Sequence, residues 1–222
     1  MTPLRFDPSD LPEHETLIFV PQFRGVSGQV QFESKRSADS VAIGVHAKLG
    51  ILLFRNAFDF EARSEWRRAG GGWELIDYKE INNKSGKTKS STEGLRKAAE
   101  KKSGQQILDP AALLFALRQN PLREVGDKRA GSGVRGENLI TLEFTAAAEK
   151  TQTVKAFGSA PRKLLKLELL IETPKSPSKI PVFQDGRSGF WLDADTNIPA
   201  EISYEIPPIG SLSVALEKME RS

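Results

Sequence analysis

The sequence predicts an α+β protein, mostly antiparallel β, built as a curved sheet or open barrel-like wrap around a short apolar helix. Long period-two hydrophobic alternation, turn signals between the alternating runs, and one segment that is apolar nearly all round predict it. From Val41 to Leu49 the odd positions are Val41, Ile43, Val45, Ala47 and Leu49. From Phe54 to Arg67 the even positions are Phe54, Asn56, Phe58, Phe60, Ala62, Ser64 and Trp66, and the other face is charged. Extended, that second run spans roughly 46 Å at 3.3 Å per residue, a length that suits a strand curving around something.

Gly70-Gly71-Gly72 supplies a turn, and Trp73 to Ile81 returns as the partner strand of a long hairpin. Further strands are expected at Leu17–Val20, Gln29–Glu33, Leu139–Phe144, Lys163–Glu172, Pro199–Ile206 and around Leu212, Val214 and Leu216, making nine or ten. Asp109 is a helix N-cap and Pro110 fits the first helical position, so Ala111 to Arg118 form the firm helix, ending before Asn120-Pro121. Its apolar residues surround it, so it must be buried on most sides, inside the concave face of the sheet. Ser91 to Lys102 is either a weaker helix or mobile, and Pro174 to Pro181 reads as a proline-punctuated loop.

The chain has 222 residues, 38% of them hydrophobic and 27% charged, with no cysteine. Residues 1–222 are expected to form a single domain, carrying a basic insert at 84–104. That composition excludes a disordered chain, and the missing thiols exclude disulfides, thiolate zinc sites and a cysteine nucleophile. The net charge of +3 comes without a basic face interleaved with aromatics, so no nucleic-acid partner is expected. No apolar run approaches the 20 or so residues of a transmembrane helix. No apolar leader follows Met1, which leaves a cytosolic protein or one whose leader has been removed.

The motifs that resemble chemistry resolve into simpler features. Gly131-Ser132-Gly133-Val134-Arg135-Gly136 has dinucleotide-loop spacing but precedes an apparent strand, not a helix, and reads as a turn. Gly86-Lys87-Thr88 lacks the upstream glycine of a phosphate loop. Asp193, Asp195 and Asn197 have calcium-loop spacing, but Ile198 and Tyr204 stand where a glycine and a bidentate glutamate are needed, so a polar turn is expected. His14 and His46 have no partners at metal spacing. Asp59 and Glu61 share a strand face with Arg55, Arg63 and Arg67, so cross-neighbour pairing accounts for them. Seven basic residues between Lys84 and Lys102 make a solvated segment that could touch a polyanion. No catalytic residue, metal or cofactor is expected.

Residues 107–122, which include Asp109-Pro110, Leu117-Arg118 and Pro121-Leu122, resemble a D-P-x-[SA]-x-x-x-x-L-R-x-x-P-L segment. Trp191-Leu192-Asp193-Ala194-Asp195, followed by Ile198-Pro199-Ala200-Glu201-Ile202, resembles W-L-S-x-D…x-P-V-x-[IV]. Gly210 to Leu216 resembles a G-x-[VI]-x-[AV]-x-L ending. Together these segments resemble an exported bacterial family, domain of unknown function 3108. The chain departs from it in the insert at 84–104 and in Ala200, where valine is usual. The resemblance implies a periplasmic or secreted protein without enzyme activity. The function expected is non-catalytic binding of an apolar or lipid-like ligand in the concave face, with Phe58, Phe60, Trp66, Leu113, Phe115 and Leu117 facing that space. The alternative is an envelope protein–protein interaction or structural module with a fully packed core, which would use its outer face or the basic insert to bind an envelope protein.

Overall fold

The computed structural model describes residues 2–22, 25–51, 54–83, 85–90, 106–135, 138–173, 176–181, 189–206 and 210–222. The strands are β1 (Thr2–Pro3), β2 (His14–Pro21), β3 (Val26–Arg36), β4 (Ser40–Ile51), β5 (Phe54–Ala69), β6 (Gly72–Asn82), β7 (Lys87–Ser90) and β8 (Ile107–Leu108). After helix α1 (Pro110–Gln119) come β9 (Lys128–Arg135), β10 (Asn138–Thr153), β11 (Pro161–Thr173), β12 (Ser176–Pro181), β13 (Gly189–Asp193), β14 (Pro199–Ile206) and β15 (Gly210–Arg221).

Among the described residues all these strands belong to one sheet. Its order is β1-β9-β10-β11-β13-β14-β15-β2-β3-β4-β5-β6-β7, with β12 beside β11 and β8 beside β9. Every pairing is antiparallel except those of the two-residue strands β1 and β8, which run parallel to β9. Among the described residues the two ends of the order do not pair, and no ladder closes the sheet.

The sheet curls, and its core proves it. One buried cluster contains Ile43 of β4, Trp66 of β5, Phe144 of β10 and Leu165 of β11, together with Phe115 and Leu117 of α1. In a flat sheet the eight steps from β10 to β5 would separate those residues by roughly 38 Å at about 4.8 Å per step. They touch because the layer bends round the helix. Ala112, Ala116 and Leu117 are fully buried, as a helix without a polar face requires.

The structure corrects the expected elements in three places. Residues 131–135 are not a turn but part of β9, and the alternation test failed there because glycine and serine carry no hydrophobic signal. Gly131 and Gly133 lie opposite Leu142 and Ile140. A Cβ on Gly133 would stand 2.9 Å from Leu142 Cδ1 and 3.1 Å from the Leu108 carbonyl oxygen, so glycine lets β8 approach. Gly133→Ala is expected to destabilise by about 1–3 kcal/mol through overpacking, read from the urea midpoint. Secondly, Ser176–Pro181, expected as loop, pairs with β11. Thirdly, β10 runs to Thr153, well past Phe144, with a bulge between Ala146 and Ala148 that shifts the alternation. Of the basic insert at 84–104, residues 84 and 91–104 lie outside the described residues; Lys87–Ser90 pairs along β6.

Candidate functional site

The site grows from one row of side chains across the concave face. Strand register places Glu15, Ser34, Ile43, Ser64 and Tyr78 side by side on β2 through β6. All five are buried. Residues facing each other across strands share a face, so this is an inward row of mixed polarity, with small serines on both sides of Ile43. Helix α1 packs against β4 and β5 over this row. Among the described residues the buried Ser34 Oγ and Ser64 Oγ have no hydrogen-bond partner.

Each end of α1 is held by a buried polar clasp. At its start Asp109 Oδ1 accepts hydrogen bonds from the backbone N–H of Ala111 (2.8 Å) and Ala112 (3.0 Å), satisfying two of the helix's orphan donors. Its Oδ2 accepts one from Trp66 Nε1 on β5 at 3.1 Å. Burial pushes the Asp109 carboxyl above its usual range, against the pull of the Ala112 and Ala111 amides. Phe6 packs edge-on against Trp66, ring centroids 4.9 Å apart. Nearby, Tyr78 donates its hydroxyl to Glu80 Oε1 at 2.5 Å, and burial raises the phenol well above its ordinary value.

At the other end Arg118 forks onto Glu15 of β2: Nη2 lies 3.1 Å from Oε1, and Nη1 donates to Oε2. Arg221 of β15 adds Nε to Oε1 at 2.6 Å. Burial acts to raise the Glu15 carboxyl, but the Arg118 hydrogen bond and the two positive charges outweigh it and hold it below its usual range. Nine helical steps from Asp109 to Arg118 cover about 14 Å. Three strand spacings from β5 to β2 also cover about 14 Å. The match explains how one short helix bridges the strands with both ends fastened.

A third polar junction locks the chain that leaves the helix. Asn197, at φ 52°, accepts from the Leu122 amide with Oδ1 and donates Nδ2 to the Leu122 carbonyl, both at 2.8 Å. Asp193 takes Arg162 in a two-point contact at 2.7 and 2.9 Å, and its Oδ1 also accepts from Thr196. Residues 193–197 form the polar turn expected from the departures at Ile198 and Tyr204, with the Asp193 carboxylate engaged by Arg162 and Thr196.

The six expected lining residues separate into two groups. Trp66 and Phe115 are 1% exposed and Leu117 is fully buried, so these three are core of the clasped region. Leu113 and Phe60 are half-buried. The Phe58 side chain lies outside the described residues. Phe60 stands two inward rows from the clasp, in the row Phe19, Val30, Ala47, Phe60. Toward the sheet end where residues 51, 54, 138 and 173 lie, the inward-facing Val45, Leu49, Leu169 and Ile171 are half-buried as well.

Sequence reading placed Asn197 in a polar turn without its grip on Leu122, and gave Glu15 and Arg162 no role. Glu15 left one legible signal, since it shares alternation with Leu17 and Phe19 and so had to face inward. The partner of each was out of reach of any local window: Arg118 is 103 residues from Glu15. His14 pairs with Glu33 at 3.0 Å, and His46 lies 3.8 Å from Asp59, each at a partly exposed surface. Among the described residues no group of three or more His, Asp or Glu side chains is placed to hold a metal, and no helix is long and apolar enough to cross a membrane.

Fold and site together define an open, curled antiparallel sheet around a clasped apolar helix. No family model matches the chain, and no curated protein matches it. Among solved structures, an inferred exported protein with a YmcC-like fold from Bacteroides fragilis is similar at 11% identity. That match covers 97% of this chain and 99% of the other, with a TM-score of 0.35.

Proposed function

We propose that the protein is a non-catalytic binding protein of the bacterial envelope that holds an apolar or lipid-like ligand in the concave face of its sheet. One observation carries the reading. Trp66, Phe115 and Leu117 around the helix are buried, yet the inward apolar side chains Val45, Leu49, Phe60, Leu113, Leu169 and Ile171 are only half-buried among the described residues. Ligand sites are concave and mostly apolar, often at the mouths of barrels. An acyl chain laid along these residues would bury what the protein leaves open. The envelope placement rests on the resemblance carried by residues 107–122, 189–202 and 209–216.

A second reading, an interaction module with a filled interior, is favoured by the burial of Trp66, Phe115 and Leu117. Native mass spectrometry of protein purified from a bacterial envelope separates the two. A co-purifying lipid, displaced on exchange and lost when Phe60 is replaced by aspartate, is expected. Mass equal to the bare chain at every stage of purification sinks the ligand reading and leaves the module.

A further inference from the structure

The segment 4–8 follows β1 without pairing as a strand. Its backbone polar groups are satisfied mainly by side-chain carboxamides, not by a strand ladder. Gln106 accepts from the Phe6 amide at 2.7 Å and donates to the Phe6 carbonyl at 2.8 Å. The same Nε2 reaches the Trp73 carbonyl on β6 at 3.3 Å, so Gln106 also bridges the seam between the β8 side and the β6 side of the sheet. Gln119 repeats the two-point grip on the amide and carbonyl of Asp7. Asn120 donates Nδ2 to the Arg5 carbonyl at 2.7 Å. Two backbone–backbone hydrogen bonds involve its ends: the Leu4 amide donates to the Ala130 carbonyl at 2.5 Å, and the Pro8 carbonyl accepts from the Leu11 amide at 3.0 Å.

The side chains alternate in the same way. Leu4, Phe6 and Pro8 are buried, while Arg5 and Asp7 are exposed. Main-chain hydrogen bonds for affinity and pockets for alternate side chains define recognition of an extended peptide. Here Phe6 is buried edge-on against Trp66. Carboxamides that grip backbone atoms impose no sequence of their own, so the pockets alone select the pattern.

We infer that the cleft formed by Gln106, Gln119, Asn120 and Trp66 is a peptide-recognition groove occupied in cis by residues 4–8. Its resident can be exchanged for an extended segment of another polypeptide that presents an aliphatic, an aromatic and a proline at alternate positions. The inference is independent of any ligand in the concave face.

The test uses the full-length chain and a synthetic peptide with the sequence of residues 2–11. Phe6→Ala weakens the resident and leaves the groove intact. Full-length Phe6→Ala is expected to bind the peptide at least about tenfold more tightly than wild type, whose groove is filled at high effective concentration. Excess peptide is expected to raise the Tm of the variant, because it binds only the folded state. A peptide with alanine in place of the phenylalanine is expected to lose that binding, as is the Phe6→Ala protein carrying Gln106→Ala. Leu4→Ala provides a second, milder vacancy. If either variant arrives unfolded, recovery of a cooperative transition on adding the peptide becomes the readout. Absence of saturable binding and of any Tm rise at millimolar peptide, in both variants, overturns the inference.

Discussion

Arg118→Ala is expected to lower stability by about 3–5 kcal/mol, the usual cost of removing one partner from a buried ion pair. Glu15 has no exposed side-chain surface and receives Arg118 through two nitrogens, so deletion strands a carboxylate under the helix with only Arg221 beside it. The substitution also frees one end of α1, which rests on the sheet through that fork. Arg118→Lys is expected to recover only part of the loss, since an ammonium cannot make the two-point contact. Urea unfolding of the three proteins checks the order. The pH dependence has a definite sign. The folded Glu15 carboxyl lies below its ordinary 4.5, so its contribution is present above that value and disappears as pH falls through the folded pKa. Glu15→Gln is expected to flatten this acid limb.

Asp109→Ala is expected to cost about 2–4 kcal/mol. Loss of an N-cap accounts for about 1 kcal/mol, and the buried Trp66 N–H left without an acceptor accounts for about 1–3 kcal/mol more. Asp109→Asn keeps an acceptor oxygen for the Ala111 and Ala112 amides but turns its NH2 toward the Trp66 N–H, so it is expected to recover only the cap, about 1 kcal/mol of the loss. Here the sign with pH reverses. Burial raises the folded carboxyl above 3.8, so the folded state holds its proton longer than the unfolded one. The resulting stability is present below 3.8 and is lost as pH rises through the folded value. The two ends of one helix therefore oppose each other on acidification, and comparison of Glu15→Gln with Asp109→Asn from pH 3 to 7 separates them. Parallel pH profiles for the two variants would contradict this assignment.

Where a strand alternates apolar and polar residues, the sequence announced it. β4, β5, β11 and β14 lie where alternation places them, because an inward apolar row is a local property of five to ten residues. The helix was equally legible, since Asp109, Pro110 and the run to Leu117 sit within one window. β9 was not, because its glycines answer to Leu108 and Leu142 and not to a hydrophobic face. The clasp was half legible: Asp109 was read as a cap, but its second oxygen serves Trp66, 43 residues away. Trp66, Phe115 and Leu117 were expected to face a ligand space, and the structure buries them. Their burial in the clasped region follows from where the helix comes to rest.

By itself the sequence determined periods, caps and turns: strands with one greasy face, and a helix with nowhere wet to point. These follow from side-chain chemistry over a few residues, so they survive without knowledge of the rest of the chain. Only the tertiary structure decided that β5 and β10 would share a core, that Glu15 would meet Arg118, and that three carboxamides would hold residues 4–8. Each of those depends on how far the sheet bends before its ends approach. That bend is set jointly by strand twist, bulges and the width of the helix inside it, and no local stretch of the chain carries this information.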